Sequence, residues 1–485
     1  MRLDKLHITK FKNLVEFDID FDQEQLTTVL IGENGTGKSN LLEALVLIFR
    51  NLHLGRKSEF GYKLDYICRG HIVHVEAYQE NVSRHTLITV DGKGMGLKEF
   101  SDRWQEFLPK HVFAYYSGPS RRLEEHFDPH MKLFYDALID PERDDEEVPL
   151  RPLFFCRLVH SQFVLMAYFS KEDSETRGFL ADYLQMSGLE SILFVMNRPA
   201  WAKRGKKITP FMLKHGDDRF WYSRGAVKKF LNKLWDSCLA PIYSTESVTQ
   251  DFRGHTADED RIYLFLPNDK RLGELARNYP STADFFKYLE STYVSDLIKE
   301  VRVRVRRKDV NGTLMFKELS EGEQQLLTVL GLLKFTKDDE SLFLLDEPDT
   351  HLNPKWKLNY LRLLEKVVAP GDKSHLIITT HDPLVIAGLT RNQVQIFSRS
   401  EKGCSASPPD VDPRGLGVAG VLTEMFSLPS TLDPQTQAEL DLRNKLFAQK
   451  KRTAKENKKL SQLSDRLASC GFTRTFRDPL YERFI

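Results

Sequence analysis

Two sharply patterned segments lie far apart in this 485-residue chain. Residues 32–39 read Gly-Glu-Asn-Gly-Thr-Gly-Lys-Ser and match the pattern G-x-x-x-x-G-K-[ST], which binds phosphate through backbone N–H groups. Residues 342–347 read Leu-Phe-Leu-Leu-Asp-Glu, a short apolar run that ends in two carboxylates. Because these are complementary parts of one type of site, the chain must fold so that its distant ends share one domain.

The surroundings of the first segment favour a phosphate-binding loop over an ordinary glycine turn. Residues 29–31 indicate the end of a buried strand, and residues 40–49 an apolar helix. A glycine-rich turn between them directs N–H groups and the helix N-terminus at phosphate oxygens. Lys38 is predicted to reach the β- and γ-phosphates of ATP, and the Ser39 hydroxyl to hold Mg²⁺. The predicted loop residues are Asn34, Gly35, Thr36, Gly37, Lys38 and Ser39.

The second segment carries the residues expected for hydrolysis. A short apolar run ending in carboxylates is typical of a central parallel strand whose carboxyl end lies in an active site. Asp346 is predicted to bind Mg²⁺, and Glu347 to polarise the attacking water. Residues 377–381 indicate the next strand, with His381 at its exit as a γ-phosphate sensor. The alternative for His381 is a purely structural histidine.

Two further segments resemble those of a known superfamily. Residues 319–325, Leu-Ser-Glu-Gly-Glu-Gln-Gln, resemble the signature motif of ABC ATPases in their SMC, RecF and OLD branch. Residues 346–354, Asp-Glu-Pro-Asp-Thr-His-Leu-Asn-Pro, resemble the Walker B motif and D-loop of the same branch. Glu321 stands where many transporters have glycine, which favours the RecF-like branch over a transporter.

The resemblance implies that two heads close on two ATP molecules. Ser320 and Gly322, with Glu323 in the same motif, are then expected to act on nucleotide held by the other subunit of a head-to-tail dimer or higher homo-oligomer. Ser320 followed by Glu323 is also a helix capping box, and that local role is compatible with phosphate binding. The glutamine of the Q-loop has no secure position, and Gln79 is one possibility.

The amino-acid composition limits the class of protein to which the chain can belong. Hydrophobic residues make up 41% of the chain and charged residues 29%, as in ordinary globular proteins, and the formal net charge is +1. The apolar runs are too short for a membrane span, and residues 1–6 predict a strand rather than a signal peptide. Five cysteines without a CxxC pair predict reduced thiols, no zinc site and a cytoplasmic protein without a membrane partner.

The predicted fold class is α/β, an ABC-type P-loop ATPase head with a largely helical insertion and a helical C-terminal tail. Residues 1–122 are predicted to form the N-terminal lobe, and residues 123–300 a mainly helical insertion without sustained heptads. Residues 301–405 are predicted to form the C-terminal lobe, and residues 406–485 a helical region for assembly or partner docking. The alternative for this tail is packing on its own ATPase core or on its dimer mate.

DNA is a further predicted ligand, for which three basic clusters are candidates. Residues 301–307 alternate valine and arginine, so a strand would place Arg302, Arg304 and Arg306 on one face. The other clusters are residues 203–207 and the pair Lys228 and Lys229. Solvated surface charge is the alternative for each cluster.

The last residues carry a more specific resemblance. Residues 471–481, Gly-Phe-Thr-Arg-Thr-Phe-Arg-Asp-Pro-Leu-Tyr, resemble the C-terminus of the stand-alone RecF-like ATPases of Septu-type anti-phage modules. That resemblance implies no Toprim domain, a separate nuclease partner of the HNH type, and control of this nuclease by the nucleotide state. No His-Asn-His motif is recognisable in the sequence, and this chain is expected to have no nuclease activity of its own. The alternatives are a RecF-like DNA-repair ATPase and a transporter ATPase subunit.

Overall fold

A computed structural model describes most of the chain. The described residues are 1–79, 84–143, 150–171, 174–202, 205, 207–249, 251–308, 312–336, 340–367, 374–400 and 403–471. They form two compact units, Met1–Arg414 and Gly415–Ile485, which are described separately below. No helix in the described part of the chain has the length and apolar character needed to cross a membrane.

The first unit contains both strands and helices along its length. Its strands are β1 Arg2–Phe11, β2 Leu14–Asp20, β3 Thr27–Gly32, β4 Tyr62–Cys68, β5 His71–Gln79, β6 Arg84–Val90, β7 Lys93–Met95, β8 His111–Tyr116, β9 Leu153–Cys156, β10 Met186–Asn197, β11 Ile242–Thr249, β12 Thr256–Leu266, β13 Ile298–Arg307, β14 Thr313–Met315, β15 Ser341–Asp346, β16 His375–Thr379, β17 Val394–Ser400 and β18 Gly403–Ser407. Its helices are α1 Lys38–His53, α2 Leu97–Asp102, α3 Trp104–Phe107, α4 Asp128–Leu138, α5 Val159–Phe169, α6 Ser174–Tyr183, α7 Pro210–His215, α8 Gly225–Ser237, α9 Asp269–Ala276, α10 Thr282–Val294, α11 Glu321–Thr336, α12 Pro354–Val367 and α13 Pro383–Ile386.

A seven-stranded sheet joins the two ends of this unit. Its strand order is β18-β17-β3-β16-β15-β8-β9, and every neighbouring pair is parallel except β17 with β18. In the register of these strands, Asp346 pairs with Thr379, and Thr379 pairs with Leu30. The carboxyl ends of β3, β15 and β16 therefore meet at one edge, where an α/β sheet places its ligand.

An antiparallel sheet with the order β2-β1-β4-β5-β6-β7 covers the phosphate-loop helix. Helix α1 is buried on nearly all sides, as expected for a helix without a polar face. Its Leu41, Leu45 and Ile48 belong to one apolar core with Leu6 and Val75 of this sheet. The helix is thus held rigidly behind the loop that it follows.

The insertion contains a third sheet, and part of the helical prediction is wrong. Met186–Asn197, predicted to be helical, is the central strand of a five-stranded sheet ordered β11-β12-β10-β13-β14. Leu153–Cys156 is likewise a strand, at the edge of the parallel sheet. Periodicity does not distinguish a short apolar run in a buried strand from one in a buried helix. Here, pairing with β12 and β13 decides the conformation.

Within its described residues, up to 471, the second unit contains the helices α14 Gly417–Glu424, α15 Pro434–Ala448 and α16 Ala454–Ser469. Helix α15 packs on α16, and Glu439 pairs with Arg466 at 2.9 Å. Arg452, in the connection between them, donates to the carbonyls of Leu446 and Phe447 near the end of α15. The predicted helical C-terminal region is therefore present.

Candidate active site

The glycines of the phosphate loop adopt conformations that other residues rarely adopt. Strand β3 ends at Gly32 and helix α1 begins at Lys38. Gly35 and Gly37 have φ angles of 79° and 104°, in the left-handed region that favours glycine. A Cβ atom on Gly32 would lie 2.3 Å from the carbonyl oxygen of Phe397. The loop therefore needs these glycines to pass between β3 and α1.

Lys38 lies folded over this loop. Its Nζ donates to the carbonyl oxygens of Gly32 and Glu33, each at 2.9 Å. Burial lowers the pKa of Lys38 to about 8, although the nearby carboxylates of Glu347 and Asp346 act to raise it. A phosphate would bring further negative charge to this ammonium group and favour its protonated form.

The turn between β1 and β2, which sequence analysis did not assign to the site, hydrogen-bonds the phosphate loop through Asn13. The Asn13 Nδ2 group donates to the carbonyl of Gly35 at 2.9 Å, and Asn40 Nδ2 donates to Asn13 Oδ1 at 2.6 Å. The Thr36 hydroxyl donates to the Glu33 carbonyl at 2.8 Å. These bonds fix the backbone before any ligand arrives.

Asp346 and Glu347 lie at the carboxyl end of β15. The Thr379 hydroxyl donates to Asp346 Oδ1 at 2.5 Å, and Ser39 also hydrogen-bonds this carboxyl group. Burial raises the pKa of Asp346, and the two hydrogen bonds oppose that rise. Glu347 has a φ of 50°, and its N–H donates to the carbonyl and hydroxyl oxygens of Thr379 at 3.2 and 3.0 Å. Such strained backbone is common at functional sites.

One cavity of about 350 Å³ brings most of the predicted residues together. The predicted residues that line it are Asn34, Gly35, Gly37, Lys38, Ser39, Asp346, Glu347 and His381. His381 Nε2 lies 3.5 Å from Glu347 Oε1. Burial, and secondarily the charge of Lys38, lowers the pKa of His381, which favours a neutral imidazole. The cavity thus combines a phosphate loop, two carboxylates and a neutral histidine.

Family models match both ends of the chain. The "AAA ATPase domain" model matches residues 1–109. A second AAA-domain model, whose description also names the AbiEii toxin of a type IV toxin–antitoxin system, matches residues 233–387. The chain is also 24% identical over 194 residues to Septu protein PtuA of Bacillus mycoides, an alignment that covers 38% of this chain and 27% of PtuA. In these regions the chain resembles SMC/RecF-like ABC ATPases, PtuA among them.

Two more comparisons add a similar sequence and a similar solved structure. The chain is 33% identical over 115 residues to the DNA replication and repair protein RecF of Lactobacillus acidophilus, covering 23% of this chain and 29% of RecF. The SMC head domain of Thermotoga maritima aligns at 14% identity with a TM-score of 0.35, covering 85% of this chain and all of that domain. The chain spans about a quarter of the length of the PtuA relative.

The predicted signature residues lie at the start of α11 and do not line the cavity of their own subunit. The Ser320 N–H and hydroxyl donate to Glu323 Oε2 at 2.8 and 2.9 Å, and the Glu323 N–H donates back to Ser320 Oγ at 3.3 Å. This capping box agrees with the sequence pattern. A Cβ on Gly322 would lie 2.5 Å from the carbonyl oxygen of His351, so glycine permits the close approach of α11 to the D-loop.

Sequence analysis missed a basic cluster at the cavity wall. The cavity is also lined by Asn40, Tyr116, Ser120, Arg122 and Leu123. Arg122 Nε lies 3.0 Å from the buried carboxylate of Glu43 on α1. Lys12 and His126 contact the same carboxylate at 2.5 and 3.1 Å. The Arg-Arg pair after a predicted strand was the available signal, but the contact to Glu43 requires the folded chain.

The Q-loop prediction remains a prediction. Gln79 ends β5 in the six-stranded sheet. Gln325, a buried residue of α11, donates to the Glu347 carbonyl at 3.5 Å and accepts from the His351 N–H at 3.4 Å. Gln325 therefore links the signature helix to the backbone that holds the catalytic carboxylate candidate.

The candidate DNA contacts differ in their surroundings. Arg302, Arg304 and Arg306 of β13 are exposed while its valines are buried, as the alternation predicted. Arg302 pairs with Glu300 at 2.8 Å, and Arg306 pairs with Glu190 at 3.3 Å, so their charge is partly balanced. Lys228 donates to two backbone carbonyls and has a structural role. The prediction at Lys203, Arg204 and Lys206 lies outside the described residues.

Proposed function

We propose that this chain hydrolyses ATP with Mg²⁺, and that its nucleotide state controls a separate HNH-type nuclease in anti-phage defence. The observation that carries the ATPase proposal is the meeting of Lys38, Asp346 and Glu347 in one cavity, although Lys38 is distant from the two carboxylates in sequence. The similarity to Septu PtuA supports the defence role.

The residues around Asp346 fit a magnesium ion. The Ser39 hydroxyl and the Asp346 carboxylate are oxygen donors, the kind that Mg²⁺ prefers, and they hydrogen-bond to each other. Burial raises the pKa of Asp346, and a bound Mg²⁺ would act against that rise by favouring the ionised carboxylate. When bound, Mg²⁺ would neutralise charge on the β- and γ-phosphates.

Lys38, Glu347 and His381 would each have a separate role in the binding and hydrolysis of ATP. Lys38 would exchange its loop carbonyls for phosphate oxygens, since its ammonium group already lies within the loop. Glu347 would accept a proton from the attacking water, and the neutral His381 beside it would hydrogen-bond the γ-phosphate. The strained backbone at Glu347 holds that carboxylate in position before the reaction.

Glu347→Gln and Lys38→Ala test the ATPase assignment. Glu347→Gln should bind ATP and lose at least about a hundredfold in turnover, because the amide cannot accept the proton. Lys38→Ala should lose ATP binding itself. Binding is measured by equilibrium dialysis, turnover by phosphate release, and Glu99→Gln on α2 is the matched control. Normal turnover in Glu347→Gln would refute the general-base role.

A RecF-like role in DNA repair is the second candidate, favoured by the RecF alignment. Deleting the gene from its host distinguishes the two. Loss of phage resistance without sensitivity to DNA damage supports the defence proposal. Sensitivity to DNA damage with unchanged plaque counts supports the repair role.

A further inference from the structure

A second cavity lies within the insertion and has no part in the proposed ATPase mechanism. Its volume is about 230 Å³. The aromatic side chains of Tyr135, Trp201 and Tyr222 line it, together with Ser223 and Arg224. Apolar and aromatic walls with a few convergent polar groups are the usual composition of a small-molecule site.

The polar groups of this cavity suit an anion. Ser223 is 4% exposed, and its hydroxyl has no hydrogen-bond partner among the described residues. An unsatisfied buried hydroxyl is costly and calls for an explanation. Arg224 occupies the N-cap of the 13-residue helix α8 and makes no side-chain capping bond there. The helix N-terminus and the guanidinium group both favour a negative charge at this position.

The loop that carries these groups is strained and firmly held. Trp221 and Tyr222 have φ angles of 54° and 65°, two consecutive left-handed residues that are not glycine. Arg219 binds Asp217 in the same loop with two hydrogen bonds of 3.0 and 2.8 Å. A Cβ on Gly225 would lie 2.1 Å from the Leu138 carbonyl oxygen, so the loop sits tightly against the end of α4. Strain that its surroundings maintain in this way is typical of ligand clamps.

We propose that this cavity binds a nucleoside monophosphate. The aromatic walls would stack on the base, while Ser223, Arg224 and the N-terminus of α8 would hold the phosphate. At about 230 Å³ the cavity is smaller than most ligand sites, so a ligand larger than one base with one phosphate would not fit within it. The site is distinct from the nucleotide site around Lys38 and goes beyond the proposed ATPase function.

Binding of radiolabelled AMP by full-length protein tests the proposal. Saturable binding should persist in Lys38→Ala and weaken at least about tenfold in Arg224→Met and Ser223→Val, because each change removes a phosphate contact. Arg271→Met on α9 is the matched control and should bind normally. Adenosine and inorganic phosphate are tested separately, and each should bind more weakly than AMP.

Several outcomes would overturn the proposal. The first two are the absence of saturable AMP binding by the full-length protein and a loss of AMP binding in Lys38→Ala alone. The other two are binding of inorganic phosphate as tight as that of AMP, and binding of single-stranded DNA by a protein that does not bind AMP. Photolabelling of the unsubstituted protein gives a test that does not depend on whether the variants fold. Photolabelling with 2-azido-AMP should modify a peptide that contains Tyr135, Trp201 or Tyr222, and labelling confined to the loop at Lys38 would contradict the site.

Discussion

At the scale of one residue, burial beside the candidate active site raises the pKa of the Asp349 carboxyl group. It is buried in the D-loop, and its Oδ2 accepts a hydrogen bond from the Thr380 hydroxyl at 2.8 Å. Burial raises the pKa of Asp349 to about 6, with Asp382 adding to the rise and Thr380 and Lys357 opposing it. Its contribution to stability is therefore complete below the unfolded pKa and is lost as the pH rises through about 6.

Asp349→Asn should remove this pH dependence. The amide keeps an oxygen that accepts from Thr380 but carries no charge, so the variant should gain roughly 1–3 kcal/mol relative to the parent between pH 4 and pH 7.5. Urea unfolding of the nucleotide-free protein at both pH values measures this gain. Asp441→Asn, at an exposed site on α15, is the control. A difference in unfolding free energy between Asp349→Asn and the parent that stays constant with pH would contradict the prediction.

At the scale of elements, the contact between α5 and α11 connects the insertion to the signature helix. Gly331 lies within α11, where alanine would normally be the more stable residue by about 0.5–1 kcal/mol. A Cβ at this position would lie 2.1 Å from Val164 Cγ1 of α5. The steric clash between two buried helices outweighs the helix propensity, so this glycine permits their close packing.

Gly331→Ala should destabilise the protein by about 1–3 kcal/mol. Combination with Val164→Ala should recover part of that loss, with a coupling energy of at least about 0.5 kcal/mol. Gly273→Ala on α9 is the matched control, because its Cβ would meet only Ser170 O at an ordinary 3.6 Å, and it should be stabilising. Thermal unfolding of the parent, both single variants, the double variant and the control measures these effects, and strictly additive changes would refute the contact argument.

At the scale of the whole molecule, the proposed head-to-tail dimer makes a specific prediction. The signature residues do not line the cavity of their own subunit, so a complete site would need a second copy. Mixing Lys38→Ala subunits with Ser320→Arg subunits should restore one complete site per heterodimer and part of the ATPase activity. Verified heterodimers that remain inactive would argue against action in trans. As a control, an unfolding measurement must show that the Ser320→Arg variant is folded although it has lost its helix cap.

We expect the helical unit to offer a surface to the proposed nuclease partner. Phe447 on α15 is 73% exposed, and an exposed aromatic side chain of this kind is a common interface anchor. A protein that ends before Gln435, and the full-length variant Phe447→Ser, should both bind ATP but lose capture of the nuclease. Pull-down followed by a nuclease assay measures this. Unchanged capture by the truncated protein would remove the tail from partner docking, and cutting by the lone ATPase would overturn the division of labour.

The sequence by itself determined the features that depend on local spacing. The strand, glycine loop and helix around Lys38 follow from adjacent residues, as do the carboxylates at the end of β15 and the capping box of Ser320 and Glu323. Valine and arginine alternate along β13 for the same reason. Each of these features places its residues within a turn or a strand of one another, so periodicity and turn chemistry suffice.

Only the tertiary structure decided the features that depend on residues distant in sequence. Asn13 beneath the phosphate loop, Arg122 on Glu43, and Val164 against Gly331 all join segments that no local pattern connects. The same holds for Met186–Asn197, an apolar run that becomes a strand because β12 and β13 offer hydrogen bonds along both of its edges. Backbone groups in a buried segment must be paired, and the partners available in the folded chain select the conformation.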